Sequence, residues 1–194
     1  ETKWVKLHVK QQKLLDIQAF GTVEFLVDKN NDFYFMEMNT RIQVEHPITE
    51  MRTGLDLVKK QIRIASGEKL DLRQKDIKFS GHAIECRINA ENPNKKFRPC
   101  PGKIEGLLIP GGNGIRVDTA IYEGYVIPPT YDSMIMKIIV HGINRNEAIS
   151  KMKRALEELV IEGVETNRDF LFNIIRNPDF IRGTFDTSFI EKNY

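Results

Sequence analysis

The stretch that decides the fold runs from Phe33 to Pro47: Phe-Tyr-Phe-Met-Glu-Met-Asn-Thr-Arg-Ile-Gln-Val-Glu-His-Pro. Its polar residues recur with a period of two, at Glu37, Asn39, Arg41, Gln43 and Glu45. Met36, Met38, Thr40, Ile42 and Val44 alternate with them. Extended backbone sends successive side chains to opposite faces. The spacing therefore predicts a strand with one face of carboxylates, amides and a guanidinium, and a second face that is mostly apolar. At about 3.3 Å per residue the polar row spans roughly 26 Å, room for a metal ion beside a small anionic substrate. A half-exposed strand at a sheet edge carries the same pattern. Glu and Asn are poor strand formers, however, so something other than strand propensity selects them.

Toward the N-terminus, residues 22–28 read as a strand and Lys29-Asn30-Asn31-Asp32 as a turn. A four-residue hairpin loop sets Asp28 opposite Phe33 and Glu24 opposite Glu37. Directly opposed side chains have β-carbons about 4.5–5.5 Å apart, and like charges there are destabilising. A divalent cation between the two glutamates reverses the sign, because hard cations take carboxylate oxygen. Asn39 can add a carbonyl oxygen. A one-residue slip in register turns Glu24 outward instead.

Toward the C-terminus, Pro47 ends strand pairing and opens a helix bearing Ile48, Met51 and Leu55, interrupted at Gly54. Asp56 is an N-cap, with Leu57, Val58, Ile62 and Ala65 as a buried stripe and Gly67 just past the helix end. Residues 70–78 are a polar connector and mark a domain boundary. Residues 82–91 alternate again, with Glu85, Arg87, Asn89 and Glu91 on one face and Cys86, Ile88 and Ala90 on the other. Residues 103–109 form a strand candidate. Pro110-Gly111-Gly112-Asn113-Gly114 imitates a phosphate loop, but a phosphate loop needs a helix behind it. Ile115-Arg116-Val117 is strand-like, so this segment reads as a hairpin turn. Residues 135–140 are an apolar strand, and Asp132, Ser133 and His141 at its two ends cannot form a triad. Residues 146–160 are an amphipathic helix. Thr166 or Asn167 caps a last helix that Pro178 ends. Residues 1–19, with Trp4, Leu7, Leu14, Leu15 and Ile17, suggest one more amphipathic helix, and His8 reads as a surface histidine.

A chain of 194 residues with 41% hydrophobic residues can bury a core in one or two domains. A net charge of +2 points to neither nucleic acid nor membrane as a partner. No apolar run approaches the ~20 residues of a spanning helix, and no signal-peptide core is present. Cys86 and Cys100 form no disulfide framework. A cytoplasmic location with reduced thiols is the expectation.

Val23-Glu24-Phe25-Leu26 followed by the stretch Phe33 to Pro47 resembles the biotin carboxylase signature of the ATP-grasp superfamily. Glu85-Cys86-Arg87-Ile88-Asn89-Ala90-Glu91 resembles that family's second signature. The likeness extends from about Gly21 to near the C-terminus and looks most like the subunits serving bacterial acetyl-CoA carboxylases. Pyruvate, propionyl-CoA and methylcrotonyl-CoA carboxylases share most of the pattern. The resemblance implies an α+β fold. Residues 1–78 would be the C-terminal part of an ATP-grasp domain, and 79–194 a β-rich C-terminal domain with packed helices. It implies ATP, Mg2+ or Mn2+, and biotin on a carrier protein. Glu24, Leu26 and Glu37 would contact ATP, and Glu24, Glu37 and Asn39 the metal. Arg41, Gln43, Val44 and Glu45 would hold bicarbonate, with Glu45 as general base. Arg87, braced by Glu85, would face the ureido oxygen of biotin, so Glu45, Arg41 and Arg87 are the expected catalytic residues. Expected partners are the carrier protein, the carboxyltransferase subunits, and the enzyme's N-terminal half, which carries the glycine-rich flap over ATP. In the resembled subunits the region around Asn113 lies near a homodimer contact, where a more apolar residue than this asparagine is common. The chain would then be about the last two-fifths of its enzyme. Two rival readings are a non-catalytic module serving assembly and another ATP-grasp carboxylate–amine ligase. The Arg-x-Gln-x-Glu-His run argues against the second.

Overall fold

The computed structural model describes residues 21–194; the helix expected over residues 1–19, and His8, lie outside them. The chain divides into two compact units between Lys78 and Phe79. Helices and strands are mixed in an α+β arrangement.

The first unit begins with an antiparallel hairpin of β1 (Thr22–Val27) and β2 (Phe33–Asn39). Asp28 belongs to the loop, not to a strand pair. Its Oδ1 accepts from the N–H groups of Asn30 and Asp32, and Asn31 takes a positive φ of 63°. Val27, not Asp28, therefore opposes Phe33. The one-residue offset is absorbed at Met36, which has no cross-strand partner between Phe25↔Phe35 and Glu24↔Glu37. Such a bulge swaps the faces on either side of it. Phe33 and Phe35 join Phe25 on one face, with ring centroids 5.6 and 6.3 Å from its own. Glu37 stays opposite Glu24 on the other.

The period-two row expected from Glu37 to Glu45 stops at Asn39. The chain bends at Thr40 and Arg41 and turns at Val44 and Glu45 into helix α1 (His46–Thr53). Pro47 occupies the first turn of α1, where its missing N–H costs nothing. Gly54 closes the helix in the left-handed region at φ 71°. Helix α2 (Leu57–Ala65) starts at Asp56, whose side chain accepts from the Lys59 N–H. Its expected buried stripe is not buried: Val58, Ile62 and Ala65 are exposed, and Leu57, Lys60, Gln61 and Ile64 are half-buried instead.

The second unit is built on a three-stranded antiparallel sheet in the order β3 (His82–Asn89), β8 (Met134–Gly142), β7 (Ile115–Thr119). Between β3 and β7 come three short strands, β4 (Glu91–Asn92), β5 (Arg98–Pro99) and β6 (Gly106–Leu108). The strand expected over 103–109 shrinks to β6. It pairs with β9 (Val160–Glu162) and not with β7. The glycine-rich run 110–114 is thus a link between two sheets, not a hairpin turn. Gly114 sits at φ 76°, and a Cβ there would meet the His141 carbonyl at 2.5 Å.

Helix α3 (Arg145–Glu158) is capped by Asn144, whose side chain accepts from the Glu147 N–H, and ends two residues short of expectation, where β9 begins. It lays Ala148, Met152, Ala155 and Leu156 on the inner face of the sheet, against Cys86, Ile88, Ile138 and Val140. Helix α4 (Arg168–Arg176) packs on α3. Arg168 Nη1 donates to the Leu156 and Leu159 carbonyls at the α3 C-terminus, at 3.2 and 3.3 Å, where a cation complements the helix dipole. Pro178 opens another short helix, α5 (Pro178–Arg182), and α6 (Phe189–Asn193) follows. Among the described residues no helix is long and apolar enough to cross a membrane.

Candidate functional site

On one face of the first hairpin Glu24 stands directly opposite Glu37, with Thr22 opposite Asn39 one pair further on the same face. Asn39 Nδ2 donates to both carboxylates, to Glu24 Oε1 at 2.8 Å and Glu37 Oε1 at 3.1 Å. An amide donor thus occupies the gap where the two negative charges need a positive group. Leu26 lies two residues from Glu24 on the same strand face, opposite Tyr34, and is exposed.

The bend after Asn39 breaks the alternation but brings the next polar side chains back. Gln43 Nε2 donates to Glu24 Oε1 at 2.8 Å, and Arg41 Nη1 donates to Gln43 Oε1 at 2.8 Å and the Ile42 carbonyl at 3.2 Å. Hydrogen bonds therefore run unbroken from Glu37 through Asn39, Glu24 and Gln43 to Arg41. Arg41, Gln43 and Glu45 share the wall of a cavity of about 150 Å3 with His46 and Thr49. Glu45 sits at the N-cap of α1, yet its carboxylate makes no capping hydrogen bond. Val44 is half-buried in the turn itself.

Two residues that sequence reasoning missed hold this turn. His46 Nδ1 lies 2.9 Å from the Gln43 carbonyl, and His46 Nε2 lies 3.8 Å from Glu50 Oε2. Glu50 is buried, and its Oε1 accepts from the Leu57 N–H at 2.7 Å. Glu50 thereby ties the turn before α1 to the start of α2. The signal for them is a His–Glu pair four residues apart, a spacing that brings side chains together on a helix.

Among the described residues no group of three or more His, Cys, Asp or Glu is placed to hold a metal. Two carboxylates and one amide are present. That set fits Mg2+, which commonly takes one or two protein carboxylates and completes its shell with phosphates and water.

Arg87 belongs to the second unit. It projects from the outer face of β3, its side chain 48% exposed, with Nε 3.9 Å from Glu85 Oε1. The Glu85 side chain is only 5% exposed. Cys86 points the other way into the core, and burial, with Glu85 adding to it, pushes its thiol up to about 12. Cys86 and Cys100 are both free thiols.

Two family profiles match the chain. The profile described as "Carbamoyl-phosphate synthase L chain, ATP binding domain" covers residues 5–73. The one described as "Biotin carboxylase C-terminal domain" covers residues 85–192, more than half of the chain. This chain belongs to the biotin carboxylase family. It is 58% identical to "Biotin carboxylase 1" of Bacillus subtilis over 94% of its own length and 41% of that protein's. It is 59% identical to a pyruvate carboxylase subunit from Methanothermobacter thermautotrophicus, over 95% of this chain and 37% of that one. Among solved structures, the biotin carboxylase domain dimer of Hydrogenobacter thermophilus 2-oxoglutarate carboxylase matches with a TM-score of 0.94 and 51% identity. That match covers 96% of this chain and 41% of the other, which was crystallised with MgADP, ADP and bicarbonate. The chain thus spans about two-fifths of the length of these relatives.

Proposed function

We propose that this chain supplies the metal, bicarbonate and biotin contacts of a biotin carboxylase. That enzyme carboxylates biotin on a carrier protein with consumption of ATP. The observation that carries this reading is the unbroken hydrogen-bonded path from the opposed pair Glu24 and Glu37 to Arg41 and the cavity it shares with Glu45. In the proposal residues 1–78 are the C-terminal part of an ATP-grasp domain, and 79–194 are the family's C-terminal domain.

Glu24 and Glu37 would hold Mg2+ or Mn2+, with the Asn39 amide, whose nitrogen now faces both carboxylates, turned over to lend its oxygen and Leu26 facing the nucleotide. The ion, when bound, neutralises charge on the ATP phosphates. Arg41 uses one nitrogen on Gln43, and its fork of five donors has N–H groups left to grip a planar oxyanion. Gln43 and the Val44 backbone would orient bicarbonate. Glu45, which does not cap α1, takes the bicarbonate proton. The resulting dianion attacks the γ-phosphorus, the bond to ADP breaks, and carboxyphosphate forms. Carboxyphosphate breaks at its C–O bond into CO2 and phosphate; the phosphate takes the proton of the biotin ureido nitrogen, and that nitrogen bonds to the CO2. Arg87 steadies the negative charge that gathers on the ureido oxygen, the kind of fixed cation that lowers a barrier by a few kcal/mol.

The relatives named above serve different final acceptors, which supports assigning this chain to the step they share. The final acceptor would be set by carboxyltransferase partners. A homodimer and a cytoplasmic location complete the proposal. The test is incorporation of labelled bicarbonate into free biotin by the full-length enzyme. Turnover that depends on Mg2+ and ATP is expected and is lost in Glu45→Gln. No incorporation by the intact enzyme would leave the assembly-only reading standing.

A further inference from the structure

Asn167 stands at the N-cap of α4, but its side chain makes no capping bond to that helix. Asn is favoured at this position because its oxygen ordinarily accepts from an N–H in the first turn. Here the residue is turned to β3 instead. Its Oδ1 accepts from the Asn89 N–H at 2.9 Å, its Nδ2 donates to the Arg87 carbonyl at 3.1 Å, and its own N–H donates to the Asn89 carbonyl at 3.1 Å. Asn167 is buried, only 7% exposed. β3 is the edge strand of its sheet, bonded to β8 on one side. On the other side Asn167 stands in for a neighbouring strand at one point. That point coincides with the irregularity where the register with β8 shifts between Ile88 and Asn89. The regular pairing with β8 is interrupted there, and Arg87 stands one residue before the break.

We propose that Asn167 is a positioning residue for Arg87, fixing the peptide from which the guanidinium is aimed at biotin. The inference rests on the reading of Arg87 given above. Glu85 Oε1 lies 3.9 Å from Arg87 Nε, and the backbone that carries both side chains sets where the guanidinium points. A peptide held on both edges keeps that aim, and a shift of about 1 Å at a catalytic group costs up to roughly a hundredfold in rate.

The test uses the full-length enzyme with Asn167→Ala, Asn167→Asp, Arg87→Ala and the double variant Arg87→Ala with Asn167→Ala. Two activities are read in each: bicarbonate-dependent ATP hydrolysis without biotin, and carboxylation of free biotin. Asn167→Ala is expected to lower kcat for biotin roughly ten- to a hundredfold and to leave ATP hydrolysis without biotin unchanged. In the Arg87→Ala background Asn167→Ala should add no further loss. Should the alanine variant not fold, Asn167→Asp gives the same readout, since it keeps the size and one acceptor and loses the donor to Arg87. Loss of both activities together, in step with the melting temperature, would mean a structural role only and overturn the inference. Independent, multiplying losses in the double variant would overturn it too. Unchanged biotin turnover in Arg87→Ala overturns the reading of Arg87 and this inference with it. A loss in Arg87→Ala beside unchanged turnover in Asn167→Ala overturns the inference alone.

Discussion

In the proposed mechanism, replacing Glu45 should separate chemistry from binding. Its carboxylate lines the cavity shared with Arg41 and makes no capping bond to its helix. Glu45→Gln keeps the shape and removes the base, so carboxylation should drop by about 10²–10⁴-fold while ATP affinity, read by calorimetry, stays near its starting value. Glu37→Gln acts earlier. It halves the carboxylate pair and should raise the Mg2+ concentration needed for half-maximal turnover; unchanged Mg-ATP kinetics would remove Glu37 from the metal site. Cys86 gives a prediction in pH. Its thiol titrates at about 12 in the fold against an ordinary 9.0. The folded state therefore keeps a proton that the unfolded state gives up, and stability present below pH 9 is lost as pH rises toward 12. Urea midpoints should fall across that window, and fall less in Cys86→Ala; equal slopes would contradict the buried thiol. At this scale the sequence is informative wherever chemistry repeats locally. The pair Glu24 and Glu37 is opposed as expected, but only because the bulge at Met36 restores the register that the loop at Asp28 shifts. Asn167 can be read as a helix cap, but its partners lie 78 and 80 residues away, and no local pattern encodes them.

Elements show where periodicity misleads. A period of two over Glu37 to Glu45 predicts one strand, yet only Asn39 and the residues before it are extended. The polar side chains still converge because the bend at Thr40 and Arg41 returns Gln43 to Glu24. Pattern alone cannot distinguish five residues in a row from two in a row and the rest folded back. The bulge at Met36 is hidden for a related reason. Asp28 extends the strand pattern, but its carboxylate is consumed by the loop, and the offset has to be absorbed further along. For the glycine-rich run 110–114, the strand behind it rightly excludes a phosphate loop but wrongly suggests a hairpin, because the pairing partner of β6 is distant in sequence. Its glycines differ in a way that can be measured. Gly114 has a positive φ and the His141 carbonyl in the path of any Cβ, whereas a Cβ at Gly111 meets nothing within 4 Å. Gly114→Ala should destabilise the second unit by about 2 kcal/mol or more, and Gly111→Ala should fall within about 0.5 kcal/mol of the parent. Equal urea midpoints for the two variants would refute the strain assigned to Gly114.

For the whole molecule, the decisive fact is that the chain spans about two-fifths of its relatives' length. The second unit has a continuous core under its sheet, with Ile88, Ile138, Met152 and Leu156 fully buried. The first unit has no comparable core among its described residues, where only Pro47 and Glu50 are buried. Leu26, Val27, Tyr34, Phe35 and Met36 are exposed along its hairpin, and Ile62 along α2. Exposed apolar side chains on both faces of the hairpin favour association. The 194-residue chain on its own is therefore expected to melt cooperatively through its second unit and to form concentration-dependent oligomers in sedimentation. It is also expected to be inactive. Phosphoryl transfer depends on groups that position the phosphates and neutralise their charge. The described residues include the carboxylates proposed for a metal and the guanidinium proposed for bicarbonate, but their glycine-rich run leads into a strand and cannot cradle phosphate from a helix N-terminus. ATP hydrolysis with bicarbonate and biotin present should stay at background, and addition of the N-terminal half of a biotin carboxylase as a separate chain should suppress the oligomers. Turnover by the 194-residue chain close to that of a full-length biotin carboxylase would show that the phosphate-clamping half is dispensable, and would sink the division of labour proposed here.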